Sequence, residues 1–160
     1  MTEAWLWLES TAFAVALRDS VWVYPLINAA HILGVALLVG AIVPLDLRLL
    51  GVWPTVPIPH LWRVSARMAA WGFAMAATCG VLLFAARASE YAVSPFFRAK
   101  MALLALAGIN ALMLLRRMRR HPHLLPTLSE ASPRAIHFAA LCSILTWISV
   151  LVLGRLVGYF

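Results

Sequence analysis

Residues Val21 to Leu45 read VWVYPLINAAHILGVALLVGAIVPL, without one aspartate, glutamate, lysine or arginine. A helix rises 1.5 Å per residue, so about 20 apolar residues cross the roughly 30 Å hydrocarbon core of a bilayer. The run meets that requirement and is far too long for a strand. Three more follow: about Met68 to Ala86, Phe96 to Leu115 and Ala135 to Phe160.

The composition agrees. The chain has 160 residues, 64% hydrophobic and only 12% charged, with a mean hydropathy of +0.90. Soluble domains carry about a quarter charged residues and must cover their surface with something polar. Lipid removes that demand. The expected fold is a single domain over residues 1–160: an all-α, integral membrane four-helix bundle behind an N-terminal interfacial amphipathic helix. That first helix is expected over Ala4 to Arg18, where Trp5, Leu8, Ala12 and Val15 share a face while Glu9 and Arg18 need water. The N-terminus lacks a signal-peptide pattern, because Glu3 and Glu9 replace the positive n-region.

Local signals place the boundaries. Ser94-Pro95 and Ser132-Pro133 each set an N-cap hydroxyl before a first-turn proline. Pro25 plays a similar part for the first span, and Gly51 is its expected stop. Trp53 to Pro59, with prolines at 54, 57 and 59, reads as a loop.

The net charge is +7. The basic residues sit at the ends of apolar runs and no polar domain is present, so nucleic-acid binding is not expected. Arg48, Arg63, Arg67, Arg116, Arg117, Arg119, Arg120 and Arg134 fall on one side, and Arg18, Arg87, Arg98, Lys100 and Arg155 on the other. The positive-inside rule then puts both termini outside. Cys79 and Cys142 lie within apolar runs, where a disulfide is not expected.

Polar residues inside the spans are the functional signal, because lipid penalises them. Tyr24, Asn28 and His31 repeat at i, i+4, i+7 and form one stripe, with His31 about 10 Å from the outer start of its helix. It reads either as a hydrogen-bonded interior histidine or as a haem or copper ligand or proton relay. Lys100 and Arg155 come to similar depth, with Tyr159 one turn beyond Arg155. Either they snorkel, or they share an outer polar pocket in which His31 is the ligand and the two cations hold a propionate, anion or quinone oxygen. Cys79 and Met101 also reach this depth, and His, Met and Cys are the ligand types that select copper(I). Packing is the other reading of both.

The remaining polar residues read as structural. Asn110, Ser143 and Thr146 suit interhelical hydrogen bonds, with glycines permitting close approach. Asp46 is expected to pair with Arg48, Arg63 or Arg67. His121 and His123 stand in the basic loop, and His60 and His137 do not match His31 in depth, so a bis-histidine haem is not expected. No Walker A, GxGxxG, GxSxG, HExxH or CxxC motif occurs, and the spans hold no paired carboxylates. An enzyme is therefore not expected.

The stretches Trp22 to His31, Pro44 to Gly51, Pro95 to Lys100, Gly108 to Ala111 and Gly154 to Tyr159 resemble a family of uncharacterised bacterial four-helix membrane proteins. The Asp-Leu-Arg-Leu-Leu-Gly run at 46–51 and Gly-Arg-x-x-x-Tyr at 154–159 are the most specific parts. The resemblance implies a bacterial inner-membrane location and no particular activity. More loosely, the architecture is similar to copper-resistance D-type proteins and cytochrome b561-like bundles. Two functional expectations follow. One is a non-catalytic subunit binding haem b or copper through the outer layer; the other is an accessory protein acting by helix packing with a membrane or periplasmic partner, or with itself as a homo-oligomer. A small-solute transporter is a third, weakened by four helices and no inverted repeat.

Overall fold

The computed structural model describes residues 2–120 and 134–158, and every regular element among them is a helix. In chain order they are α1 (Thr2–Ser10), α2 (Ala12–Asp19), α3 (Val23–Leu49), α4 (Ile58–Ala86), α5 (Ala88–Val93), α6 (Pro95–Arg120) and α7 (Arg134–Leu156). The four long helices α3, α4, α6 and α7 are each long and apolar enough to cross a membrane.

Their ends follow the local chemistry. Pro25 sits in the first turn of α3, where its missing N–H costs nothing. At the other end Gly51 takes φ +98°. There the Val52 and Gly51 N–H groups close back on the carbonyls of Leu47 (3.0 Å) and Arg48 (3.1 Å), the pattern of a glycine-terminated helix. The Arg48 side chain, 3% exposed, donates to the carbonyls of Val56 (2.7 Å) and Pro54 (2.9 Å) and so folds the following loop against the bundle. Ser94 accepts from the Phe97 N–H at 3.4 Å to start α6, as the sequence indicates.

Several boundaries differ from the sequence reading. The second span begins at Ile58, ten residues early, because Pro59 stands in its first turn rather than in the loop. The single N-terminal helix is two, broken where Thr11 caps α2 by accepting from the Ala14 N–H at 3.3 Å. The short α5 was not read from the sequence at all, and the fourth span ends at Leu156. Ser132, His121 and His123 lie outside the described residues.

Packing is closest between α3 and α4. A Cβ on Gly72 would stand 2.5 Å from the Leu38 amide nitrogen, and one on Gly34 would stand 2.6 Å from that of Ala76. Real Cβ atoms do not come that close, so these backbones meet only because both positions lack side chains. The pairs α6–α7 and α3–α7 complete the assembly, and Asn110 Nδ2 donates to the Ala139 carbonyl at 3.2 Å, the interhelical bond expected of it. Thr146 instead bonds within its own helix, to Cys142. One apolar cluster joins Leu45, Leu49, Ile58, Met118, Ile136 and Ala140, and a second joins Leu38, Ala107, Trp147 and Val150. Among the described residues, α4 and α6 are not one of the closely packed helix pairs.

Little of the apolar surface is used up this way. Within the most apolar 18-residue window of each long helix, between 6% and 28% is buried inside the chain. Trp71, Ile32 and Leu106 point outward. A water-soluble monomer rarely shows so large an apolar exterior, whereas hydrocarbon solvates it without cost. These features describe a multi-pass membrane protein in a bilayer environment.

Asp46 does not form the ion pair expected of it. It is 3% exposed and turns toward the buried Ser143 hydroxyl on α7. Arg48 is committed to loop carbonyls, and Arg63 and Arg67 are exposed. One carboxyl oxygen, Oδ2, has no hydrogen-bond partner among the described residues.

Candidate functional site

His31 lies eight residues, or about 12 Å, along α3 from Val23. Its Nδ1 is 2.8 Å from the Ala76 carbonyl oxygen on α4. A carbonyl only accepts, so Nδ1 carries the proton, and on the neutral ring Nε2 is left with an unshared pair. Gly80 makes the room: a Cβ there would stand 3.2 Å from the ring Cε1 and 3.4 Å from Nδ1. Ala76 and Gly80, one turn apart on α4, form the shelf on which the imidazole rests.

Lys100 approaches from α6, five residues after Pro95. Its half-buried side chain runs along Gly154 of α7, where a Cβ would stand 3.5 Å from Nζ. The ammonium lies within electrostatic reach of the His31 ring. Among the described residues the salt bridges are Arg18–Asp19 at 3.6 Å and Arg87–Glu90 at 3.3 Å, so Lys100 has no carboxylate partner there. The layer therefore offers a donor cation and an imidazole acceptor, framed by two glycines on opposite helices.

The other candidates are placed differently. Tyr24 lies beside Tyr91, two turns further toward the same end than His31. Asn28 and Arg155 are exposed at the surface, and Tyr159 lies outside the described residues. Cys79 is half-buried beside Gly80, while Met101 is 48% exposed on α6. No group of three or more His, Cys, Asp or Glu side chains able to hold a metal occurs among the described residues. His60 in the first turn of α4 and His137 in the first turn of α7 are at the opposite, arginine-bearing end, away from His31.

Sequence reasoning missed the cover over this layer. Phe84, one turn beyond Gly80, stacks on Phe97, one turn before Lys100, with ring centroids 5.3 Å apart. Tyr91 stacks on Phe97 at 5.6 Å, and Trp5 meets Phe84 edge-on at 5.5 Å. The tether for α1 is Glu9, which accepts from the Ser89 N–H at 2.8 Å and from its hydroxyl at 2.9 Å. Burial, with the Tyr24 hydroxyl beside it, pushes the Tyr91 phenol above its usual range. Nearby, the Glu90 carboxylate raises Arg87. The aromatic residues were visible in the sequence, but nothing in their spacing joined α1, α4, α5 and α6.

Among the described residues, fold and site together define an all-helical protein with four helices fit to cross a membrane. The chain belongs to a family of unknown function, DUF6644, which matches it over residues 7–160. No curated protein and no solved structure matches it. Nothing in these matches extends to the copper-resistance D-type or cytochrome b561-like proteins.

Proposed function

We propose that this chain is a non-catalytic membrane subunit that binds a cofactor or other small ligand through the His31–Lys100 layer. The observation that carries the reading is Lys100, a half-buried ammonium inside a candidate span without a carboxylate partner among the described residues. A cation inside a span is costly unless it pairs or snorkels to the interface, and a bound oxygen ligand would offset that cost. In this reading the arginine end, with Arg116 to Arg120, faces the cytoplasm of a bacterial inner membrane and both termini face the periplasm.

Haem b or copper would take Nε2 of His31 as one ligand. The described residues do not complete such a site: Met101 is half exposed and no histidine joins His31. A metal there needs donors from a second copy or a partner protein, and no step is derived through one.

The test is an absorption spectrum, metal analysis and native mass spectrometry of detergent-purified protein, compared with His31→Gln and Lys100→Met. A ligand held by the wild type and lost from both variants is expected. Wild-type protein carrying nothing by all three measurements would refute the reading. The competing reading is an accessory protein acting by helix packing with a partner or a second copy. It is favoured by α6, whose apolar window is only 6% buried, and it predicts that both variants keep function.

A further inference from the structure

The charged residues are sorted between the two ends of the bundle. At the end where α3 begins, cations stand among acids. Arg18 bridges Asp19 at 3.6 Å, Arg87 bridges Glu90 at 3.3 Å, and Glu9 is bonded to Ser89. At the opposite end, Arg63 and Arg67 of α4, the arginines between 116 and 120 on α6, and Arg134 of α7 are all exposed. The acid described there is Asp46, which is 3% exposed and turned inward. Neither salt bridge among the described residues lies at that end.

Packing brings these arginines together. One buried cluster joins Leu49 of α3, Ile136 of α7 and Met118 of α6, with Trp62 of α4 and Leu114 against it. Arg63 adjoins Trp62, Arg117 and Arg119 flank Met118, and Arg134 stands two positions before Ile136. Equal lengths of helix from the Phe84–Phe97 stack reach Ser65 on α4 and Arg116 on α6. Arg116 therefore stands at a level between Arg63 and Arg67.

Each helix also carries exposed apolar surface directly below its arginines. Residues three or four apart share a helix face. Arg67 is one turn from Trp71, Arg116 one turn from Met113, and Arg134 one turn from Phe138, and all three apolar side chains point outward. On three helices the outer face thus passes from apolar to cationic within about 5 Å. That is the step from acyl chain to headgroup in a bilayer.

We propose that the arginine end is a binding surface for anionic phospholipid, with Arg67 and Arg116 as its main phosphate contacts. The proposal is independent of the His31–Lys100 reading. A guanidinium meets a phosphate through two parallel hydrogen bonds. A zwitterionic lipid brings its own cation to the same place, where the neighbouring arginines repel it, whereas an anionic headgroup brings none. Inorganic phosphate would satisfy the arginines but leave the apolar half of each face uncovered. An amphiphile with a net negative head matches both halves.

The experiment is native mass spectrometry of the full chain in detergent micelles, equilibrated with equal amounts of phosphatidylglycerol and phosphatidylcholine. The wild type should retain phosphatidylglycerol in preference by about tenfold or more, since each arginine near an anionic headgroup contributes about fivefold. The preference should fall several-fold in Arg67→Gln and in Arg116→Gln, and to within about threefold in the double variant. Both side chains are exposed, so the variants should fold, which circular dichroism and gel filtration check. Arg87→Gln is the control: Glu90 already neutralises that charge, so the preference should stay within about twofold of the wild type. Equal retention of the two lipids by the wild type would overturn the proposal. So would a preference that survives the double variant, or one that Arg87→Gln lowers as much. Displacement of phosphatidylglycerol by an equal concentration of inorganic phosphate would give the surface to a free anion and overturn the lipid assignment.

Discussion

Replacing Gly72 with alanine adds a single methyl group, and the structure says what it meets. The new Cβ would stand 2.5 Å from the Leu38 nitrogen, 2.8 Å from the Gly34 oxygen and 3.0 Å from the Leu38 Cα. All three are backbone atoms of the facing helix, so no side chain can rotate away. Ordinary contact begins at 3.4 Å, so α3 and α4 must part by about 0.9 Å. Overpacking of this kind costs about 1–3 kcal/mol. Alanine gains back about 1 kcal/mol of helix propensity, which leaves a net loss of up to about 2 kcal/mol. The 2.8 Å bond from His31 to Ala76 crosses the same interface, and a shift near 1 Å would stretch it beyond hydrogen-bonding range. The matched control is Gly108→Ala on α6, where a Cβ meets nothing within 4 Å. That variant should be neutral or up to about 1 kcal/mol more stable. Reversible unfolding in SDS-containing mixed micelles, followed by circular dichroism, measures both. A Gly72→Ala protein as stable as Gly108→Ala would refute the backbone-contact account of the α3–α4 interface.

Other perturbations follow from the same geometry. Arg48→Met removes the donors to the Val56 and Pro54 carbonyls and should cost about 2–4 kcal/mol in the same unfolding assay. It should also make the 51–57 loop more susceptible to proteolysis. Ser89→Ala removes the hydroxyl contact to Glu9 while keeping the amide. Hydrogen exchange in α1 should accelerate several-fold, and a double-mutant cycle with Glu9→Gln should show coupling of about 1 kcal/mol. An additive cycle would deny the tether. The raised Tyr91 phenol stays neutral above the range in which an ordinary tyrosine ionises. Its contribution to stability is thus present below the unfolded tyrosine pKa, near 10, and is lost as pH climbs through the higher folded value. An alkaline absorbance titration should show a late component that Tyr91→Phe deletes.

How much of this was legible follows from the kind of signal each feature leaves. Gly51 and Ser94 announce helix ends through one residue's own conformational or capping chemistry, and both stand where that chemistry puts them. Pro59 was misread because a proline is equally at home in a loop and in a first helical turn, and only the helix that follows it decides. Asp46 was misread for a different reason. Proximity in sequence to Arg48 suggested an ion pair, but the loop carbonyls claim that guanidinium while the carboxyl turns inward to Ser143, 97 positions away.

The stretch from Val21 to Leu45 determined a spanning-length helix by itself, because length and apolarity are properties of a segment and need no partner. The three other apolar runs, the arginine-bearing end and the depth of His31 and Lys100 were fixed in the same one-dimensional way. Only the tertiary structure decided which of the polar residues at that depth meet. Depth is a coordinate along a helix, whereas meeting depends on helix rotation and spacing. Gly34 and Gly72 bring α3 against α4, Gly80 admits the imidazole, and Gly154 lies against Lys100, while Asn28 at comparable depth is exposed. The roof of Trp5, Phe84, Tyr91 and Phe97 is likewise a product of packing, since it draws one ring from each of four helices.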